Sequence, residues 1–310
     1  MLRSVVVLSV IGCGSVSSHG LADAPPGSDA NPGFSDGGTP GCPAAAPFTV
    51  QNELTSIDTN GSNECASLSD DGTTLWFSAG RAGGAGGFDI YAATRTTPLT
   101  QTFMNVGGIG VLNSSGDERC PRVTQNGLTL FASDGPQATQ AADHLYRLVV
   151  ATRADPSAPF TGFAPLDPVN GATGVRDAAP YIVPDGHALY FVSDRMTAGV
   201  NLLFRAERTG TAFGEARPVE VQGLPADAAS NQYNPVVTPD ELTLYFQAPS
   251  GEYVATRGST SEPFHDPTLL TDVVGPLTWI SADNCQAYLV KGVASGTGTI
   301  YHLYYGSRAP

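Results

Sequence analysis

Four carboxylates in this chain stand where they could share a site: Glu64, Asp117, Glu118 and Asp177. Two carboxyl groups at a suitable separation hydrolyse glycosides, one giving a proton and the other attacking or activating water. Oxygen ligands of this kind also suit a Ca²⁺ ion. Each carboxylate comes just before or at the start of a short apolar segment that ends in a turn. The matching positions of a fourth segment are Asn231, Gln232 and Tyr233, and those of a fifth are Gly275 and Pro276. The chemistry is therefore not repeated. The set, with Gln232 and Tyr233, reads as the polar rim of an opening that binds a partner, and neither an enzyme nor a metal site is expected. Other motifs do not help. Ser67–Trp76 resembles an Asp-box without its spacing, no G-x-S-x-G or H-E-x-x-H occurs, and His19, His144, His187, His265 and His302 are scattered. No cofactor is expected.

The elements that carry these residues repeat. Ala179–Arg195 reads as a β-hairpin, with Pro184-Asp185-Gly186 turning between apolar runs. Its second half recurs at Asp71-Gly72, Asn126-Gly127, Asp240-Glu241 and Asp283-Asn284, each followed by an apolar run containing an aromatic residue. A third strand follows each hairpin and ends in Arg95, Arg153, Arg208, Arg257 or Arg308. A fourth element opens on Phe103, Phe163, Phe213 or Phe264. Four short strands at a period of roughly 50 to 60 residues predict an all-β propeller of four-stranded blades. Five blades are favoured, with six as the alternative. The fifth repeat lacks its outer strand, and Phe48–Leu54 has the missing pattern, so this N-terminal segment is expected to close the ring.

The repeat also suggests framework roles. The five arginines are expected on the turn face, pairing with a turn carboxylate such as Asp185 or capping turn carbonyls. Cys65 and Cys120 each lie seven residues before their turn glycine, so they occupy equivalent places on adjacent inner strands. Cys285 sits in the last turn and Cys42 just before the closing strand. Four cysteines allow three pairings; Cys65–Cys120 and Cys42–Cys285 are predicted. Trp76 and Trp279 fall on strands and are expected in the core.

Composition agrees with an exported β-protein. There are 36 Gly and 24 Pro among 310 residues, and the net charge is −14. That acidity argues against nucleic acid and anionic membrane surfaces. Residues 1–12 read as a signal peptide, with one positive charge before an apolar run too short to span a bilayer. The run ends in Val10-Ile11-Gly12-Cys13, which resembles a bacterial lipobox with Cys13 as the lipidated residue. Residues 13–47 read as a disordered tether, and 48–310 as the propeller. Gly14 after the cysteine favours the outer membrane.

The run P-x-x-x-P-D-G-x-x-L-Y-F-x-S-D-R over Pro180–Arg195, echoed at Pro235–Phe246, resembles the propeller repeats of TolB-type proteins. That resemblance implies a periplasmic address. It also implies a monomeric, non-enzymatic scaffold that binds an envelope protein or a peptidoglycan-associated partner and meets the membrane only through its lipid. The alternative is a carbohydrate-binding propeller, either a lectin or glycoside hydrolase-like. The loops opposite the turns, Gly80–Gly87, Asp134–Asp143, Gly292–Gly298, Asn170–Arg176 and Gln222–Gln232, diverge between repeats and are the expected binding face.

Overall fold

The computed structural model describes residues 41–58, 61–136, 145–296 and 298–309. The expected signal segment, Cys13 and most of the 13–47 tether lie outside the described residues, as do His19, His144 and part of the Asp134–Asp143 loop.

The chain enters along β1 (Val50–Glu53), makes a 3-10 turn at Thr55–Ile57 and then builds five antiparallel sheets. The first holds β2 (Ser62–Leu68), β3 (Thr74–Gly80), β4 (Asp89–Thr94) and β5 (Met104–Gly108). The second holds β6 (Asp117–Val123), β7 (Thr129–Gly135), β8 (Arg147–Thr152) and β9 (Ala164–Pro165). In the third, β10 (Asp177–Ile182), β11 (Ala188–Ser193) and β12 (Leu202–Thr209) carry a split outer strand, β13 (Ala212–Phe213) and β14 (Arg217–Pro218). The fourth holds β15 (Tyr233–Val237), β16 (Thr243–Ala248), β17 (Gly251–Thr256) and β18 (His265–Leu270). The fifth holds β19 (Leu277–Ile280), β20 (Gln286–Ser295) and β21 (Gly298–Ser307). Its fourth strand is β1, which pairs antiparallel with β21 from Val50↔Ser307 to Glu53↔Tyr304. The protein is a five-bladed β-propeller closed by its N-terminal strand, as the repeat count predicts.

Second strands are apolar on both faces because each blade is covered by a neighbour on either side. Leu189, Tyr190 and Phe191 are fully buried in the third blade, and Leu244, Tyr245 and Phe246 in the fourth. The core is therefore a set of clusters between blades. Trp76, Ile90, Leu130 and Val149 pack between the first two blades. Phe131, Leu148, Leu189 and Phe204 pack between the second and third.

The turns explain the repeated acids. In each turn an Asp or Asn side chain accepts the backbone N–H two residues on: Asp71 from Thr73, Asn126 from Leu128, Asp185 from His187, Asp240 from Leu242 and Asp283 from Cys285. These are Asx turns. The next residue has a positive φ, which Gly72, Gly127 and Gly186 adopt freely. Asp185 thus holds its own turn and pairs with His187, and with no arginine among the described residues.

The framework arginines take the other expected role. Nε of Arg95, Arg153, Arg257 and Arg308 donates to the carbonyls of Gly72, Gly127, Glu241 and Asn284 respectively. Their guanidinium groups lie over the rings of Phe103, Phe160, Phe264 and Phe48 at 4.3–5.0 Å. Arg208 lies 5.7 Å from the Phe213 ring. The repeated Arg and Phe are thus two halves of one cation–π clasp. In the second blade the ring is Phe160 and not Phe163.

Both disulfides form as predicted. Cys42–Cys285 has a Cα–Cα distance of 5.1 Å and Cys65–Cys120 one of 4.6 Å. Residues 41–47, expected as the end of the tether, pack on the fifth blade. The Cys42 N–H donates to Asp283 O, and Arg308 Nη1 reaches the carbonyls of Ala44 and Ala46.

Candidate functional site

Each inner strand is interrupted by a β-bulge, at Glu64/Ser67, Arg119/Arg122, Ala178/Tyr181, Tyr233/Val236 and Leu277/Trp279. Four of the bulges hold a non-glycine residue at positive φ: Cys65, Cys120, Ala179 and Asn234. A bulge kinks its strand and re-aims the flanking side chains. Here the kinks ring the central axis and open a funnel of about 520 Å³ on the face opposite the turns. Its wall includes Glu64, Arg119, Tyr146, Arg176, Asn234, Gln247, Lys291 and Tyr301, and the Cys65–Cys120 disulfide rigidifies one side.

Glu64 is the one carboxylate on that wall among the described residues. It accepts a hydrogen bond from Arg119 Nη1 at 2.9 Å. Burial raises its pKa above the usual range; the Arg119 charge opposes that rise without cancelling it, and Asp117 adds to it. Arg119 bridges onward, with Nη2 3.2 Å from Asp117. Asp117 also accepts the Tyr146 hydroxyl at 2.9 Å and the Phe88 N–H at 2.9 Å. The Tyr146 hydroxyl is pushed up to about 12, first by burial, so it keeps its proton and donates.

The other five expected rim residues do not line the funnel. Asp117 is buried behind the wall. Glu118, also buried, accepts the Ser114 hydroxyl, and its backbone N–H donates to Phe88 O. Burial raises its pKa. Asp177 pairs with Arg195 at 2.6 Å and caps the Gly171 N–H, while its own N–H meets Tyr146 O. Gln232 accepts from Leu203 N, donates to Ala228 O, and sends its backbone N–H to Asn201 O. The Tyr233 hydroxyl is held by Asn201 and Asn231. Glu118, Asp177 and Gln232 occupy one repeated position, where the inner strand of a blade is stapled to the third strand of the blade before it. They are structural.

The residues that replace them are mostly basic or amide. Asn234 donates to Gln247 at 3.0 Å across the wall. The Arg176 guanidinium lies 5.8 Å from the Tyr146 ring, and its Nε is buried without a partner among the described residues. Below the funnel, Arg122 is fully buried. Its Nη1 donates to the carbonyls of Cys65, Ala66 and Pro121 and its Nη2 to that of Thr278, at 2.6–3.2 Å, and it lies 5.4 Å from the Tyr181 ring. Desolvation lowers its pKa to about 10, which leaves it charged at neutral pH. It forms a clasp between the first, second and fifth blades.

Two further polar clusters lie elsewhere. Between the third and fourth blades, Glu241 accepts from Arg205 Nε at 2.7 Å, from Arg205 Nη2 at 2.9 Å and from Tyr190, with His187 Nε2 at 2.7 Å. Burial works against its charge, yet hydrogen bonds from Arg205, Tyr190 and His187 outweigh it and hold the carboxyl at about 2. On the outer edge of the fifth blade, ligand atoms of Glu53, Asp58 and His302 lie within 4.8 Å of one another, close enough to hold a metal ion. Histidines were not expected in either cluster, because their partners are distant in sequence.

No protein-family model and no curated protein matches the chain. Solved structures do. A family 117 glycoside hydrolase of the marine bacterium Zobellia galactanivorans is 13% identical with a TM-score of 0.61, covering 85% of this chain and 91% of its own. A GH43_1 enzyme from Xanthomonas citri is 19% identical with a TM-score of 0.57, covering 86% and 91%. The same enzyme complexed with xylose gives 17% and 0.59 over the same shares. At these identities the likeness shows the fold. Two expectations, the non-enzymatic TolB-type scaffold and the absence of enzyme activity, are corrected, because these structures with the same ring are glycoside hydrolases.

Proposed function

We propose that this protein is a carbohydrate-active propeller that holds a saccharide in its central funnel, with Glu64 as the proton-transferring carboxyl. The observation that carries this reading is Glu64 itself: a desolvated carboxyl, raised above its usual range, on the wall of a cavity of about 520 Å³. That volume falls within the ordinary range for small-molecule sites. Tyr146 and Tyr301 supply rings for a sugar face, and Asn234 and Gln247 supply amides for hydroxyl groups. Glycoside hydrolysis needs a proton at the leaving oxygen, and a carboxyl whose burial favours its protonated form suits that task. Asp117 stands behind the wall as the second carboxyl, coupled to Glu64 through the shared guanidinium of Arg119.

The reading is tested with Glu64→Gln against a panel of arabinan, xylan, galactan and uronan oligosaccharides. Wild-type turnover is expected to fall as pH rises through the raised Glu64 pKa, since the acid must carry its proton. The variant should lose at least about 100-fold in kcat while still binding. An unchanged kcat in the variant, or no turnover of any member by the wild type, contradicts the assignment.

The address is a separate proposal. The lipobox-like Val10–Cys13 run and two disulfides support an exported, lipid-anchored protein in an oxidising compartment.

A further inference from the structure

The chain carries a net charge of −14, yet its funnel is lined by three cations against one carboxylate. Lys291 is the only lysine in the whole sequence, and it lies in this wall. The four groups are not equivalent. Glu64 is committed to Arg119, which also serves Asp117 behind it. Arg176 makes no ion pair among the described residues, and its buried Nε has no acceptor. An orphaned guanidinium donor is costly unless something fills it. Lys291 lies with its ammonium 5.7 Å from the Tyr304 ring and has no carboxylate partner among the described residues. Arg122 adds a further positive charge under the floor, solvated only by carbonyls, two of which belong to the wall residues Cys65 and Thr278.

Some arginines outside the funnel are neutralised by a carboxylate. Arg195 faces Asp177, Arg205 faces Glu241 and Arg147 faces Asp167. Others, such as Arg95, Arg153 and Arg308, are spent on turn carbonyls and ring faces, whereas the funnel gathers its cations in a concave site whose low-dielectric walls focus their field. We propose that the saccharide held in this funnel is anionic, its carboxylate or sulfate group seated against Arg176 within reach of Lys291. This rests on the funnel being the saccharide site. Guanidinium is the group suited to planar, bidentate recognition of such an anion, and the tyrosine rings and amides serve the rest of the sugar.

The test is affinity electrophoresis of the full-length protein through gels containing polygalacturonate, alginate, a sulfated carrageenan, or the neutral polymers arabinan, xylan and agarose. Wild type, Arg176→Gln, Lys291→Gln and the exposed control Arg147→Gln are compared, with thermal unfolding confirming that each is folded. The expected result is retention by at least one anionic polymer, weakening between 50 and 500 mM salt, since such charges are screened. Arg176→Gln should weaken it by about tenfold or more, Lys291→Gln by less, and Arg147→Gln not at all. A carboxylated or a sulfated polymer in the retained arm identifies the anion. Retention by neutral polymers alone, or anionic retention indifferent to Arg176→Gln, overturns the anion assignment and leaves the funnel reading standing. No retention by any polymer overturns both.

Discussion

The funnel and the Glu241 network contain the same kinds of residue and use them in opposite ways. Around Glu241 every strong donor has an acceptor. Arg205, His187 and Tyr190 converge on one buried carboxylate, and Arg257 donates to the carbonyl of the same residue. Glu241 even occupies the positive-φ turn position that three other repeats give to glycine. A residue that bears backbone strain in order to keep its side chain in a network is part of the frame. In the funnel, Arg176 and Lys291 have no carboxylate partner among the described residues, and both face a cavity. Satisfied networks hold blades together, while unsatisfied ones in a concavity are available to a ligand.

Opening the ring closure should show the largest effect. Replacing Cys42 and Cys285 with serine releases a bond spanning 243 residues. It should cost about 5 kcal/mol on the chain-entropy estimate, read by denaturant unfolding, with saccharide binding by the surviving folded fraction unchanged. A cost under about 1 kcal/mol would show that β1 closes the ring without its staple.

Next comes Glu241→Gln, which leaves Arg205 facing a neutral group. The expected loss is about 3 kcal/mol, again with binding intact. The same network sets the pH response. The depressed Glu241 pKa contributes stability that is present above the unfolded carboxylate range and lost as pH falls through about 2. His187 is raised, because hydrogen bonds to Glu241 and Asp185 outweigh its desolvation. Its smaller contribution is present below the unfolded histidine value and lost as pH rises through the folded one. Loss of the acid limb with a weakened histidine limb in Glu241→Gln is the expected signature, since Asp185 still holds His187, and an unaltered acid limb would remove Glu241 from the frame.

Much of this frame is legible in the sequence. Five Asx turns, five strand-end arginines and a missing outer strand are repeated features, and repetition is what a single sequence displays well. The cysteine spacing fixes equivalent strand positions, so both bonds follow from it. The site is less legible for a physical reason. Facing along a strand is read from alternation, and a bulge in every inner strand shifts the alternation by one residue. Glu118, Asp177 and Gln232 share a repeat position, but that position turns into the blade interface. Arg119 and Arg122 stand on either side of the β6 bulge; Arg119 lines the funnel and Arg122 lies beneath it. Arg176 comes from a loop, and Lys291 and Tyr301 from the long β20–β21 ribbon, which no other repeat shows among the described residues. One signal was available: a single lysine in an acidic chain marks a place where positive charge is kept.

The funnel, and not an outer face, is proposed to hold the saccharide. The most direct measurement is a crystal structure of the protein with a bound oligosaccharide of whichever polymer class is retained. The account predicts sugar density on the central axis, with Glu64 within hydrogen-bond reach of a glycosidic oxygen and Arg176 against the anionic group. Sugar bound in the groove between the third and fourth blades, or along an outer strand, with the funnel holding only solvent, would contradict it.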